Sequence, residues 1–210
     1  EEGPEELINR TSITQPILVL CSYLHFRKFV NTIDITPSYL AGHSLGEYSA
    51  LVAANSISII EALKLVRKRG ELMESAPNGS MSAIMGLDYD AINEICLLAS
   101  QGDNSHVQCA NLNSPNQTVI SGHDDAVLRA QDLCIDKGAK RAIKLKVSIA
   151  SHSKLMLPAA KEFQKTLEAV TFNEPDIKII HNVSADLSSS SKDIPSLLVS
   201  QLYSPVRWVE

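Results

Sequence analysis

The sequence PSYLAGHSLGEYSALVAAN, residues 37–55, joins a short strand-like run to an alanine-rich helix through the turn Gly42-His43-Ser44-Leu45-Gly46. A strand that becomes a helix within a few residues strains the backbone of its central serine, and glycines fit where the two backbones approach. The helix directs its N-terminal amides toward the serine oxygen, so the Leu45 amide is placed to stabilise an oxyanion. The pattern predicts a nucleophile elbow around Ser44, although GxSxG is short enough to occur by chance in ordinary turns.

A serine nucleophile needs a base within hydrogen-bonding reach. Most histidines of the chain fall in or beside predicted helices, strands or turns, where a structural role is more common, and His43 adjoins the nucleophile and suits a supporting role. His152 lies in the small-residue loop 148–153, where a side chain can point into a cleft. No order of catalytic residues fixes the choice, so His152 is a candidate base and not yet an assigned one. The histidines compared are His25, His43, His106, His123, His152 and His181.

Arg69 falls within the apolar stripe of a second helix. Ser58, with Glu61 three residues later, forms a capping-box signature, and the helix is predicted to run to about Glu74. An arginine directed at a core is costly unless an anion pairs with it, and its planar fork matches a carboxylate at two points. Two interpretations remain open: a structural ion pair with a buried Asp or Glu, or a substrate that carries a carboxylate.

The remaining pattern predicts an α/β chain with two subdomains. Residues 78–147 read as β-α-β-β-α-β, which is the ferredoxin-like order, so we assign them to a small subdomain inserted into a larger one made of residues 1–77 and 148–210. A helix is expected from Gln15 to about Phe29, with Pro16 in its first turn, because an apolar stripe recurs there at helical spacing (Ile17, Leu20, Cys21 and Leu24). The serine run 188–191 reads as a flexible loop. The predicted strands are Met81–Leu87, His106–Leu112, Gln117–Ser121, Lys140–Val147 and Ile177–Asn182, and further helices are predicted near Asp90–Ser100, over Asp124–Lys137 and from about Leu155.

Composition excludes several classes of partner. The net charge is −5 and the basic residues are scattered, so we expect no nucleic-acid binding. No apolar run approaches the roughly 18 residues of a membrane span, and we expect no membrane partner. The four cysteines form no CxxC pair, so we expect buried free thiols in a reducing, cytoplasmic compartment, and no metal site. These cysteines are Cys21, Cys96, Cys109 and Cys134.

Five motifs, in order and spread over nearly the whole chain, together resemble the malonyl-CoA:acyl carrier protein transacylases of fatty acid synthesis. They are GHSLGEYSAL (42–51), Arg69-Gly70, NLNSP (111–115), Ser151-His152 and QLYSPVRW (201–208). The resemblance implies an α/β-hydrolase-like unit that carries an inserted ferredoxin-like subdomain, which agrees with the order of elements above. It also implies an acyl transfer from malonyl-CoA to acyl carrier protein.

The resemblance assigns roles to individual residues. Ser44 is similar to the acyl-accepting nucleophile, His152 to the general base and acid, and Arg69 to the residue that grips the malonyl carboxylate. Gln201 matches the position whose main-chain carbonyl orients the histidine, where hydrolases use Asp or Glu. Four further residues belong to the implied site: Leu45 as oxyanion donor, His43 as a supporting neighbour, and Asn111 and Asn113 as lining of the cleft.

The implied reaction needs no cofactor of the chain's own, since coenzyme A enters with the substrate and the phosphopantetheine thiol belongs to the carrier protein. We expect a monomer. Alternatives are a serine esterase or thioesterase of the α/β-hydrolase type, the acyltransferase domain of a polyketide synthase, and a catalytically silent carrier-binding module; preference between malonyl and methylmalonyl stays open. Family members also have a preceding Gly-Gln-Gly loop and a closing strand and helices, which we expect outside these residues; a molecule without that loop should be slower by ~10²–10³-fold.

Overall fold

A computed structural model describes residues 5–188 and 190–210. The chain is a mixed α/β protein that divides into two compact units. One unit comprises the chain up to Ser75 together with Lys161–Val199, and the other comprises Ala76–Ala160 together with Ser200–Glu210. In chain order the elements are α1 (Glu5–Ile8), α2 (Thr11–Ile33), β1 (Tyr39–Ala41), α3 (Gly46–Ala53), α4 (Ile59–Glu74), β2 (Ser80–Met85), α5 (Tyr89–Ala99), β3 (Val107–Ser114), β4 (Gln117–Gly122), α6 (Asp124–Asp136), β5 (Arg141–Lys144), α7 (Leu157–Leu167), β6 (Lys178–Ile180) and α8 (Ile194–Gln201).

The second unit is larger than the predicted insertion of residues 78–147, chiefly because it also takes in 148–160 and 200–210. Backbone pairing explains both additions. Asn78 bridges Ile149, and Val206 bridges Asn111 at the edge of β3, where its amide donates to the Ala110 carbonyl at 2.8 Å. His152 and Gln201 therefore belong to the second unit, whereas Ser44 and Arg69 belong to the first.

Within the first unit, β1 and β6 form a parallel pair in which Tyr39 lies opposite Lys178 and Ala41 opposite Ile180. The long helix α2 packs against α3 and α4. Where α2 packs against α4, a Cβ atom added to Gly70 would lie 2.6 Å from the Cα of Ser12. Only glycine fits there without separating the helices.

Helix α2 begins at Thr11 and not at Gln15, so Pro16 lies inside the helix and the prediction of a first-turn proline is wrong. The reason is a distant contact. The amide and hydroxyl of Ser12 donate to one carboxylate oxygen of Glu74 at 2.8 and 3.0 Å, which anchors the first turn of α2 on the end of α4. Pro16 has no N–H to donate to the Ser12 carbonyl, a cost that packing offsets.

The apolar stripe predicted for α2 is exposed in this structure. Ile17, Leu20 and Leu24 are exposed, and the buried positions are Ser12, Gln15 and Val19. Cys21 lies among the exposed positions, which corrects the prediction that all four thiols are buried. The other three, Cys96, Cys109 and Cys134, are buried as predicted.

The second unit confirms the ferredoxin-like order. Its four-stranded sheet has the order β3-β4-β2-β5, with all three neighbouring pairs antiparallel. Apolar residues of α5 and α6 and of the sheet form one core, which includes Ile92, Ile120 and Val127. The predicted helix and strand positions agree with the structure to within a few residues.

In the part of the chain that the structure describes, no helix is long and apolar enough to cross a membrane. The predicted serine loop falls partly outside it, because Ser189 is not among the described residues. Ser190 caps a short 3-10 helix, Ser191–Asp193, by accepting a hydrogen bond from the Lys192 amide.

Candidate active site

Ser44 sits at the turn between β1 and α3 with a φ of 50°, in the left-handed region that residues other than glycine rarely adopt. A Cβ atom on Gly42 would lie 2.0 Å from the main-chain carbon of Gly46, so Gly42 is required for this turn. A Cβ atom on Gly46 would meet nothing within 4 Å. The close-approach argument therefore holds for the first glycine and not for the second.

The Asn182 side chain binds the main chain of the elbow at two points, Ser44 and Gly42. The Ser44 main-chain N–H donates to Asn182 Oδ1 at 2.5 Å, and Asn182 Nδ2 donates to the Gly42 carbonyl at 2.8 Å. Asn182 is buried and follows β6, the strand that pairs in parallel with β1. Sequence reasoning missed this residue. The available signal was its place after a parallel strand, since the carboxyl ends of such strands share one edge of a sheet.

The buried pair Glu47 and His181 lies next to Asn182 and is hydrogen-bonded to its main chain through Glu47. Glu47 accepts a hydrogen bond from His181 Nδ1 at 2.7 Å through one carboxylate oxygen and from the Asn182 amide at 3.3 Å through the other. The side chains of Glu47 and His181 are 1% and 0% exposed. The imidazole of His181 is thus bonded to a carboxylate inside the first unit, which agrees with the structural role expected for it.

Arg69 reaches the nucleophile candidate from α4. Its Nη2 donates to Ser44 Oγ at 3.3 Å, and its guanidinium carbon lies 5.8 Å from the centre of the Tyr48 ring. The residue is 2% exposed. Burial lowers the pKa of Arg69, whereas the neighbouring Tyr48 and Glu47 act in the opposite direction. Arginine stays protonated in proteins, so a buried cation lies beside the Ser44 oxygen.

The second unit holds His152 by three of its groups. Its Nδ1 donates to the Gln201 carbonyl at 2.7 Å, and its main-chain N–H donates to the Leu202 carbonyl at 3.0 Å. Its own carbonyl accepts from Gln108 at 3.1 Å. A carbonyl can only accept, so Nδ1 carries the hydrogen, and Nε2 is the ring nitrogen that can accept a proton when the imidazole is neutral. This is the carbonyl contact that the resemblance implies.

Like Ser44, His152 has a positive φ, of 58°, and it is buried. The structure brings His43, Ser44, Leu45 and Arg69 together in the first unit; His43 is exposed and Leu45 is the N-terminal cap of α3. The remaining predicted residues lie in the second unit. Gln201 is bonded to His152, and Asn111 and Asn113 lie on β3, with Asn111 buried.

The motifs thus correspond to an elbow serine beside a buried arginine in the first unit and to a histidine bonded to a main-chain carbonyl in the second. Comparison with known families agrees: the whole chain, residues 1–210, matches the acyl transferase domain family, and the chain belongs to that family.

The relatives are more specific. The chain is 45% identical over 214 residues to the malonyl CoA-acyl carrier protein transacylase of Haemophilus influenzae, covering all of this chain and 68% of that protein. It is 46% identical over 212 residues to the Bacillus subtilis protein of the same name, covering all of this chain and 66% of the relative. The chain thus spans about two thirds of the length of these relatives. The resemblance predicted from the motifs is confirmed.

A solved structure has the same fold. It is the complex of a type II polyketide synthase acyl carrier protein with its malonyl-transacylase. The matched chain is 44% identical to this chain, with a TM-score of 0.95, and the match covers 99% of this chain and 68% of that chain. The α/β-hydrolase-like fold with an inserted ferredoxin-like subdomain is thereby confirmed.

Proposed function

We propose that this chain carries the catalytic residues of a malonyl-CoA:acyl carrier protein transacylase, which moves a malonyl group to the phosphopantetheine thiol of the carrier through an ester on Ser44. The observation that carries the proposal is the contact of the buried Arg69 guanidinium with Ser44 Oγ. A buried cation beside the nucleophile favours an acyl group that ends in a carboxylate, and its fork can hold that carboxylate at two points. The names of the relatives support the same substrate.

In the first half-reaction, His152 Nε2 takes the proton of the Ser44 hydroxyl while the oxygen attacks the thioester carbon of malonyl-CoA. The Leu45 amide donates to the oxyanion, and the intermediate collapses when the carbon–sulfur bond breaks. The proton held by His152 passes to the coenzyme A thiolate, which leaves as a thiol. This step requires His152 Nε2 to come within ~3–4 Å of Ser44 Oγ in the working enzyme.

In the second half-reaction, His152 takes the proton of the carrier thiol, and the sulfur attacks the ester carbon. The bond to Ser44 Oγ breaks and the serine recovers the proton, so the enzyme returns to its starting state. Arg69 holds the carboxylate throughout, which fixes the acyl group and fills space that a hydrolytic water would need.

The other predicted residues have supporting parts in this proposal. Gln201 orients the histidine through its carbonyl, His43 supports the turn, and Asn111 and Asn113 line the cleft. A thioester is already activated toward serine, so the transfer needs no cofactor of the chain's own. We also propose that the protein is a monomer in a reducing, cytoplasmic compartment. The free buried thiols Cys96, Cys109 and Cys134 support the reducing setting.

Intact-mass analysis of the full-length protein after exposure to malonyl-CoA tests the proposal. We expect a malonyl adduct on the wild type and on the control Ser38→Ala, which alters an exposed serine ahead of the elbow, and no adduct on Ser44→Ala. Added carrier protein should discharge the adduct. Free malonate without an adduct would indicate a hydrolase instead, and an unchanged mass with intact malonyl-CoA would indicate a silent carrier-binding module.

A further inference from the structure

The Gln108 side chain makes four hydrogen bonds, and one of them is to the main-chain carbonyl of His152. We propose that Gln108 is a positioning residue that holds the His152 loop and the 201–203 segment in register, so that the imidazole is aimed for proton transfer. The inference rests on the proposed role of His152 and concerns a residue that neither the motifs nor the resemblance includes.

Both donor hydrogens of the Gln108 carboxamide are used. Nε2 donates to the carbonyl of His152 at 3.1 Å and to the carbonyl of Tyr203 at 3.1 Å. These acceptors lie 44 and 95 residues away from Gln108 along the chain. One side chain on β3 therefore ties together two segments that are distant in sequence.

The carboxamide oxygen is used twice as well. Oε1 accepts from the Lys154 amide at 3.2 Å and lies 3.2 Å from His106 Nε2. Burial lowers the pKa of His106, which favours a neutral ring that can donate from Nε2. A carboxamide has two donor hydrogens and an oxygen with two lone pairs, so this network satisfies all of them. Reversing the amide would set its NH₂ against the Lys154 N–H, so the orientation of Gln108 is fixed.

The two segments that Gln108 joins are the loop that carries His152 and the segment 201–203, whose carbonyls bind His152. His152 donates to the Gln201 and Leu202 carbonyls. Gln108 adds a second link between the same two segments, because its side chain donates to the carbonyls of both His152 and Tyr203. His152 also holds a positive φ of 58°, which persists only where surrounding contacts over-determine it. Losing these contacts should let the ring drift, and a misplacement of about 1 Å can lower a rate by roughly 10²-fold.

The test is the single-turnover acylation of Ser44 by malonyl-CoA in the full-length protein. Gln108→Glu keeps the shape but removes both donors, and Gln108→Met keeps the volume without polarity or charge. We expect both variants to acylate at least ~10-fold more slowly at saturation, with little change in the KM for malonyl-CoA, because Arg69 belongs to the other unit and is untouched. Gln101→Ala, which alters an exposed glutamine of the same unit, should behave as the wild type.

A double variant separates positioning from mere structural support. If Gln108 acts through His152, then adding Gln108→Met to His152→Ala should cause no further loss of acylation. A further loss of the same size, or wild-type rates in both single variants, would overturn the inference. Wild-type acylation by His152→Ala alone would instead overturn the proposed role of His152, which makes the two failures distinguishable. Melting temperatures of all variants show whether each one is folded.

Discussion

The side-chain oxygen of Asn182 lies 2.5 Å from the main-chain nitrogen of Ser44, and the same carboxamide donates to the Gly42 carbonyl. These two contacts hold the backbone on either side of a residue whose φ of 50° is intrinsically unfavourable by about 1–3 kcal/mol. The elbow is therefore held by a residue 138 positions away as well as by its own turn.

We expect Asn182→Ala to slow acylation of Ser44 by roughly 10–100-fold, because a relaxed backbone no longer presents the hydroxyl to the thioester. Asn182→Asp should rescue poorly, since it places a carboxylate oxygen against the Gly42 carbonyl. Burst release of coenzyme A measures the effect, and Asn173→Ala, an exposed asparagine of the same unit, is the control. A full-rate burst from folded Asn182→Ala would contradict the role given to this residue.

Arg69→Ala should lose malonyl transfer while keeping reaction with acetyl-CoA. Removing a charge-assisted two-point contact from a buried site costs ~3–5 kcal/mol, or roughly 10²–10⁴ in specificity, whereas acetyl has no carboxylate to lose. Arg69→Lys should rescue poorly because an ammonium lacks the fork. The comparison needs both substrates and Arg67→Ala, which alters an exposed arginine of the same helix. Equal losses for both substrates with a lower melting temperature would show that Arg69 is only a structural ion pair.

His152→Ala should lower acylation by several orders of magnitude with little effect on binding of the thioester, because Nε2 is the proposed proton acceptor. His43→Ala should do less, since His43 is exposed at the turn. Single-turnover rates and binding by calorimetry separate the two effects. If His43→Ala proved the more damaging change, the base would have been assigned to the wrong histidine.

The contact between Ser12 and Glu74 predicts a pH-dependent stability. Burial alone would raise the pKa of Glu74, but hydrogen bonds from Ser12 and the charge of Arg10 outweigh it, and the pKa is lowered from 4.5. A lowered carboxyl pKa contributes stability that is fully present above about pH 4.5 and is lost as the pH falls through the folded-state pKa.

Glu74→Gln should therefore destabilise the protein by about 1 kcal/mol at pH 7, and the difference from wild type should shrink as the pH falls below 4.5. Thermal melts across this range measure it. Glu71→Gln, on an exposed position of the same helix, should show a smaller effect, as an exposed pair with Arg67 is worth little. A Glu74→Gln deficit that stays constant at all pH values would argue against an ionised Glu74 in this contact.

Local sequence patterns predicted most of the helices and strands of the fold. Ser58 accepts from the Glu61 amide at 3.2 Å as the capping signature predicts, and the alternation of patterns in 78–147 predicted the βαββαβ unit because each element there is short and flanked by turns. Periodicity in α2 also predicted a helix. It could not tell which face packs, because that depends on Ser12 reaching Glu74 across 62 residues.

The candidate site likewise contains residues that a local sequence pattern predicts and residues that only distant contacts reveal. Ser44 follows from the geometry of a five-residue turn, and Arg69 from its phase on one helix. Asn182 and Gln108 act through carboxamides whose partners lie far along the chain, and an isolated Asn or Gln has no distinctive sequence pattern. Spacing alone left His152 as a candidate because its orienting partner is a main-chain carbonyl, which every residue has.

The close approach at Gly70 reverses an ordinary rule of protein engineering. Replacing a glycine inside a helix by alanine normally stabilises it by about 0.8–1.0 kcal/mol, so a stability-driven redesign would choose this position early. Here the new methyl group would lie 2.6 Å from the Cα of Ser12 and push α4 away from α2. Arg69, the preceding residue, would shift with its helix, so the proposed contact of Arg69 with the malonyl carboxylate depends on the absence of a side chain at position 70. We therefore expect substitutions at position 70 to be poorly tolerated, although this residue has no part in the proposed reaction.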